Sequence, residues 1–425
     1  MQELRIFFMT SNDGFEIGLH PITDESADLF NSLMQCFGEV VDGVLNIKAE
    51  QQASKDIKSK IQAFTDNFAP RFPHLNKLNK KISDLKEDEY FLVLRGLPQD
   101  TKIKHQLEVY LNFINEKKGQ EFTADDFQAE LEQSGDFLSD LLHNYNIDQP
   151  RTDRKTIIGN KKKSDRICRF CGKGLKDGVT FSKVAHAISE GLGNKNIILA
   201  DECDSCNEYF GNEIEPQLIT HLDIYRAFLG IKGKNGLPTI TYKNAIITHQ
   251  DDVPTLITQD IEKISDEEFI VTLHTKNKFN PLKLYKALVK ISLSTINSNS
   301  IHDFKTTFEW LTSPDITPVE LPKIARSVIH SGFSKHPEIT NYIRKSDDQT
   351  LPHLFSEFRI GSFVYVFIVP FSEKDNLKFV APNEFEAFWN RLEHYAAVKN
   401  WRFDRIDSAS DITITEKIHI KKSTK

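Results

Sequence analysis

Residues Ala185 to Asn207 read AHAISEGLGNKNIILADECDSCN: one histidine, three asparagines, several carboxylates and a CxxC pair within 23 residues. A second pair with the same spacing, Cys168 and Cys171, lies just upstream of Cys203 and Cys206. Tetrahedral zinc takes four soft thiolates, and two CxxC turns supply them with little strain. The pairs are separated by 31 residues, more than a minimal zinc ribbon needs, so a folded element is expected between them. The fifth cysteine, Cys36, falls on the apolar face of ADLFNSLMQCFGEVV with Leu29, Phe30, Leu33, Phe37 and Val40, and reads as a core thiol. This is metal arithmetic and not a disulfide framework, which fits a reducing, cytoplasmic compartment.

The rest of the chain sets the scale. Its 425 residues allow two or three domains, with 39% hydrophobic and 27% charged residues, an ordinary globular balance. No apolar run long enough to span a membrane occurs, and the start MQELRIFFMTSNDGF lacks the plan of a signal peptide. The net charge is −7, yet Arg151 to Lys176 holds ten Lys/Arg against only Asp153 and Asp165. Such a local basic block on an acidic chain is suited to phosphate, although a solvated linker explains it equally well. Lys161, Lys162, Lys163, Arg166 and Arg169 are its candidate nucleic-acid contacts.

We expect an α+β protein in three parts. Residues 1–150 read as a mainly helical regulatory or partner-binding domain, with strands at ELRIFFMT and YFLVLRGL. A helix is expected in TKIKHQLEVYLNFINEKKG, stopped by Gly119, and another after Thr123, with Asp126 closing a cap. The histidines here (His20, His74, His105, His143) are scattered and suggest no chemistry. Residues 151–236 are the basic segment and the cysteine-bearing module, and 237–425 an α+β domain. Within the latter, Asn280 and Pro281 open a helix, NPLKLYKALVKISLSTI, whose Lys283, Lys286 and Lys290 form a stripe that reads as a solvated face. FVYVFIV is a buried strand, PNEFEAFWNRLEHYAAV a helix, and the tail IHIKKSTK is expected to be loose.

The string CRFCGKG…TFSKVAHAISEGLGNKNIILADECDSCNEYFGNEIE resembles the zinc-containing HNH endonucleases, over about 55–70 residues. The resemblance implies a ββα-metal module: a first strand with the catalytic histidine, a returning loop, a second strand, and a helix at the last C-x-x-C-N. It places His186 as general base, a suitable role for a neutral imidazole near pH 7. It places Asn207 at the helix start as a ligand for Mg²⁺ or a similar hard ion, with helix capping as a compatible role. Asn194 and Asn196 compete for the asparagine that ties the loop, and Asn196 is favoured because Ile197–Leu199 reads as the second strand.

Many relatives have a metal ligand directly before the base, where this chain has Ala185. Glu190 is the first choice to replace it, from the H-x-x-x-E spacing of this branch; Glu215, Glu202 and Asp201 follow. Beyond the module, Arg226 is a candidate phosphate contact and His221 a surface residue. The function implied is a metal-dependent nuclease acting on DNA (RNA is a possible variant), with a structural zinc. The large flanks resemble those of bacterial restriction or anti-phage effectors that dock a partner protein. The alternative is a zinc-stabilised nucleic-acid- or protein-binding platform whose catalytic metal site has decayed at Ala185.

Overall fold

The computed structural model describes residues 4–11, 14–19, 24–41, 44–96, 101–152, 155–250, 253–265, 267–276, 278–314, 319–328, 334–396, 398, 400–413 and 415–421. His20, Asp153, Arg154 and residues 422–425 of the tail lie outside them. The chain forms two compact units, Met1–Phe137 and Leu138–Lys425.

The first unit is a sheet wrapped by helices. In order come β1 (Leu4–Met9), β2 (Gly14–Leu19), α1 (Asp24–Gln35), β3 (Gly38–Val41), β4 (Val44–Ile47), β5 (Glu50–Gln52), α2 (Lys55–Phe68), α3 (Leu75–Ser83), β6 (Tyr90–Leu94), α4 (Thr101–Glu116) and α5 (Ala124–Asn144), which runs on past the unit's end. The sheet order is β2-β1-β6-β5, and β3 and β4 form a separate hairpin. Successive side chains of β1 point to opposite faces, and both faces are covered. Ile6 and Phe8 join Leu29, Leu33, Phe64, Leu78 and others from α1 to α3 in one core. Phe7 and Met9 join Leu111, Phe113 and Ile114 of α4 in another. Cys36 is buried in the first core, and burial pushes its thiol up to about 11. Thr123 and Asp126 close the cap of α5, Asp126 Oδ2 accepting from the Thr123 N–H at 2.7 Å. Helices lie around this unit, and a sheet is its centre.

The second unit contains β7 (Tyr145–Asp148), β8 (Thr156–Ile158), β9 (Ile197–Leu199), α6 (Asp204–Tyr209), α7 (Glu215–Phe228), β10 (Ile240–Thr241), β11 (Ala245–Gln250), β12 (Val253–Thr258), β13 (Ile261–Lys263), β14 (Glu268–His274), α8 (Pro281–Thr295), α9 (Lys305–Thr312), β15 (Ile324–Val328), β16 (Ser334–Arg344), β17 (Leu354–Gly361), β18 (Phe363–Ile368), α10 (Pro382–Asn390), β19 (Arg402–Asp404) and β20 (Thr415–Lys421). Its large sheet has the order β19-β15-β18-β17-β16-β7, every pairing antiparallel. Val364, Val366 and Ile368 of β18 face Phe385 and Phe388 of α10. Tyr365, Phe367 and Val369 face the opposite way, into a core shared with α8, α7 and the cysteine module.

Helix α8 starts as its sequence predicts: Asn280 Oδ1 accepts from the Lys283 N–H at 3.0 Å, and Pro281 fills the first helical position. Its lysine stripe is not a solvated face. Lys286 and Lys290 are buried, because α8 is sandwiched between the large sheet and the cysteine module. Lys286 donates to the Ser313 carbonyl at 3.0 Å, and only Lys283 keeps its expected place near solvent, paired with Glu213. The expectation of a loose tail is also overturned. Residues 415–421 form β20, an antiparallel partner of β14 from Glu268↔Lys421 to His274↔Thr415.

Candidate metal centre and nuclease site

The first knuckle is a tight turn. The Cys168 N–H donates to the Lys173 carbonyl at 2.8 Å, and Gly172, directly after Cys171, takes the left-handed conformation (φ 68°) that turns the chain back. In the second knuckle, Cys203 is the N-cap of α6 and Cys206 lies in its first turn. The four sulphurs come within 4.8 Å of one another. A Zn–S bond of about 2.3 Å puts the sulphurs of a tetrahedral site roughly 3.8 Å apart; Cys171 Sγ and Cys203 Sγ stand at 3.8 Å. Cys168 Sγ also accepts the Cys203 N–H at 3.5 Å. The thiols compete for charge. A hydrogen bond from the Cys206 thiol pulls Cys168 down to about 5, and the same contact pushes Cys206 up. Four thiolates this close need a dication among them, so the donor set fits zinc.

Asp204 ties the knuckle to the segment that follows the first cysteine pair. Its carboxylate accepts from Thr180 Oγ1 and from the Ser182 and Lys183 N–H groups, at 2.5, 3.0 and 2.8 Å. The chain then enters a short antiparallel ladder with β9. The Ala187 N–H donates to the Ile197 carbonyl, the Leu199 N–H donates to the Ala185 carbonyl, and His186 faces Ile198. On the other side of β9 lies β8 in parallel, Ile157 opposite Ile198. Part of the basic segment is thus an edge strand of the module. From β9 the chain passes through the second knuckle into α6, one wide π turn at Phe210–Ile214, and α7. Pro216, which has no N–H to give to the preceding turn, accounts for the widening.

The returning loop is built on small residues. Ser189 Oγ accepts from the Gly191 N–H, and Gly193 is left-handed (φ 93°) at a point where a Cβ would lie 2.7 Å from the Lys232 carbonyl. Asn194, buried, ties the loop: its Oδ1 accepts from the Asn196 and Ile197 N–H groups at 3.0 and 2.9 Å. The expectation for Asn196 is corrected accordingly. Its side chain turns away and donates to the Thr152 carbonyl at 2.6 Å.

His186 has only 16% of its side chain exposed, and Nδ1 lies 3.9 Å from Glu190 Oε1. Burial holds the imidazole below its usual pKa, against the pull of the Glu190 carboxylate, so it is neutral near pH 7. Glu190 Oε2 in turn lies 3.8 Å from Lys234 Nζ. Asn207 is half-buried in the first turn of α6, and its N–H donates to the Cys203 carbonyl at 2.9 Å. It is therefore inside the helix and not its cap, which is Cys203. Ala185 is buried, on the side of the ladder opposite to His186.

Three of the carboxylates considered as a replacement for a ligand at Ala185 are engaged elsewhere. Glu215 Oε1 accepts from Lys290 Nζ at 2.8 Å, and Glu202 Oε2 lies 3.4 Å from the same ammonium. Asp201 accepts from the Asn160 N–H at 2.8 Å. Lys290 also donates to the His186 carbonyl at 2.9 Å. Burial raises the Glu202 carboxyl to about 7, while burial's effect on Lys290 is outweighed by the two glutamates, which hold it charged. Lys290 escaped the sequence reading as a site residue. Its signal was present: it interrupts the run ALVKISL, where every neighbour is a core residue.

The basic residues divide. Lys161, Lys162 and Lys163 are exposed, with Lys162 3.1 Å from Asp165. Arg166 is half-buried and clasps its own loop through the Asn160 and Lys161 carbonyls. Arg169 is buried, donating to the Leu293 and Ile296 carbonyls and to Ser298 Oγ. Arg226 is buried too, paired with Asp223 at 2.7 Å and packed under Gly233. Neither Arg169 nor Arg226 is open to a phosphate, so both are withdrawn as nucleic-acid contacts. His221 is no surface residue either: it is half-buried, 3.3 Å from the Tyr365 hydroxyl, and burial lowers it to about 4.

The HNH endonuclease family model matches residues 168–223, from the first zinc-knuckle cysteine into α7. The chain thus carries a domain of the HNH endonuclease family, a minority of its length. No curated protein and no solved structure matches it. Among the described residues, no helix is long and apolar enough to cross a membrane.

Proposed function

We propose that the chain is a metal-dependent endonuclease that hydrolyses phosphodiester bonds of DNA from a ββα-metal module. One observation carries this reading: His186, partly buried and held neutral, is bridged to β9, which leads directly into the knuckle helix bearing Asn207. Hydrolysis needs a water deprotonated in place and positive charge on the developing oxyanion. His186 takes the water's proton as general base. Asn207 and Glu190 are the residues that would hold a divalent ion such as Mg²⁺, which supplies the positive charge. The four cysteines fix the helix to the ladder with a structural zinc, and Lys161 to Lys163 bind phosphate without reading sequence.

The first unit regulates the nuclease or docks a partner, as in restriction or anti-phage systems. Ala185 favours the rival reading, a zinc-stabilised platform, because it leaves one customary ligand position without a donor. Supercoiled plasmid incubated with the purified protein and Mg²⁺, Mn²⁺ or Ni²⁺ separates the two. Metal-dependent nicking abolished by chelator is expected. Tight DNA binding without nicking under every metal would favour the platform. The same assay with RNA decides the substrate.

A further inference from the structure

Lys290 belongs to α8, outside the residues that match the family. Its side chain is fully buried, and its ammonium meets three oxygens: the His186 carbonyl, Glu215 Oε1 and Glu202 Oε2. It donates hydrogen bonds to the first two, at 2.9 and 2.8 Å, and pairs with the third as an ion at 3.4 Å. Each oxygen comes from a different piece of the HNH domain. His186 is on the segment bridged to β9, Glu202 immediately precedes the second knuckle, and Glu215 opens α7 after the π turn. Neither Glu202 oxygen has a hydrogen-bond partner, so the ion pair with this ammonium is what offsets its burial.

Packing alone gives no reason for the charge. Leu288, Val289 and Ile291 beside it are buried and apolar, and a buried ion cluster is commonly no more stable than apolar residues of similar volume. What the ammonium adds is direction: it fixes the peptide carbonyl of the residue read as the general base. We propose that Lys290 is a positioning residue of the nuclease site, a brace from outside the family domain that sets the His186 backbone against the knuckle and α7. This rests on the reading of His186 as the base. Removing the brace leaves the imidazole in place chemically but free to turn from its attack geometry.

The test replaces the cation and the fully buried carboxylate together, Lys290→Met with Glu202→Gln, so that no orphan charge stays in the core. Glu215 retains some contact with solvent, 17% of its side chain. Zinc content and the KM for DNA should match wild type, while the single-turnover cleavage rate falls about a hundredfold. The ring ¹H–¹³C NMR signal of His186, identified by its loss in His186→Ala, should move. An unchanged rate with an unmoved signal would overturn the proposal. Should wild type cleave nothing, the nuclease reading fails by itself, and the His186 signal alone decides whether Lys290 positions it. Should the double variant not fold, Lys290→Arg is read in the same way: a displaced His186 signal with zinc retained supports the brace, and an unmoved one overturns it.

Discussion

Arg169, set between the two cysteines of the first knuckle, caps α8 by donating to the Ile296 carbonyl at 2.8 Å. The carbonyls at the end of a helix have no partner within it, and a buried guanidinium satisfies two of them here. The knuckle and α8 therefore hold each other. Arg169→Ala should lower the unfolding free energy by roughly 2–3 kcal/mol in urea titration. It should leave the salt dependence of DNA binding unchanged. Replacing Lys161, Lys162 and Lys163 with alanine should do the reverse, reducing the slope of log K against log salt by up to about three with little loss of stability. A salt slope altered by Arg169→Ala would return that residue to the phosphate interface.

Zinc should be structural and reach beyond its own turns. Metal analysis is expected to give one zinc per chain. Stripping it with a strong chelator at neutral pH should expose tryptophan or tyrosine fluorescence changes from the region around α8 as well as the knuckles, because Arg169 and Lys290 join them. Well under one zinc in protein that stays folded would refute the four-cysteine site.

The two asparagines of the returning loop make a matched pair. Asn194→Ala leaves a buried N–H (Ile197) and a part-buried one (Asn196) without an acceptor and should cost about 1–3 kcal/mol, with a loss of cleavage. Asn196→Ala, whose bond to Thr152 is partly open to water, should cost clearly less on both counts. Paired denaturation curves and nicking rates check the order, and a larger effect at Asn196 would reverse the assignment.

That pair also marks where the sequence stops informing. The cysteine spacing, the cap at Asn280, the helix stop at Gly119 and the core placement of Cys36 all depend on local chemistry, and each was legible. Which of two asparagines turns inward depends on a loop's path, set by contacts such as Gly193 against the Lys232 carbonyl. The lysines of α8 were misread because helical spacing identifies a stripe but not what lies against it. Once the module and the large sheet close on both sides, Lys286 and Lys290 have no route to water. The tail was misread for a related reason: its pairing partner, β14, lies far back in the chain.

Acid should destabilise the second unit through its buried histidines. His353 is 2% exposed, stacks on Phe304, and burial lowers it from 6.5 to about 4. A group with a depressed folded pKa contributes stability that is complete above its unfolded value and is lost as pH falls through the folded one. The window thus runs from about 6.5 down to about 4, with on the order of 3 kcal/mol at stake for this residue once protonated. Urea midpoints measured across that window should fall, and His353→Gln should flatten the fall. An identical slope in the variant would contradict the burial argument.

His186 as general base is the centre of the account, and single-turnover cleavage of plasmid DNA by His186→Ala tests it most directly. With zinc content and the unfolding midpoint matching wild type, the rate should drop by about 10² to 10⁴. Wild type should gain rate with rising pH in the acidic range, where the imidazole, held below its usual pKa by burial, gives up its proton, and the variant should lose that rise. A variant that nicks DNA at the wild-type rate, with the same pH profile, would remove His186 from the chemistry and the nuclease mechanism with it.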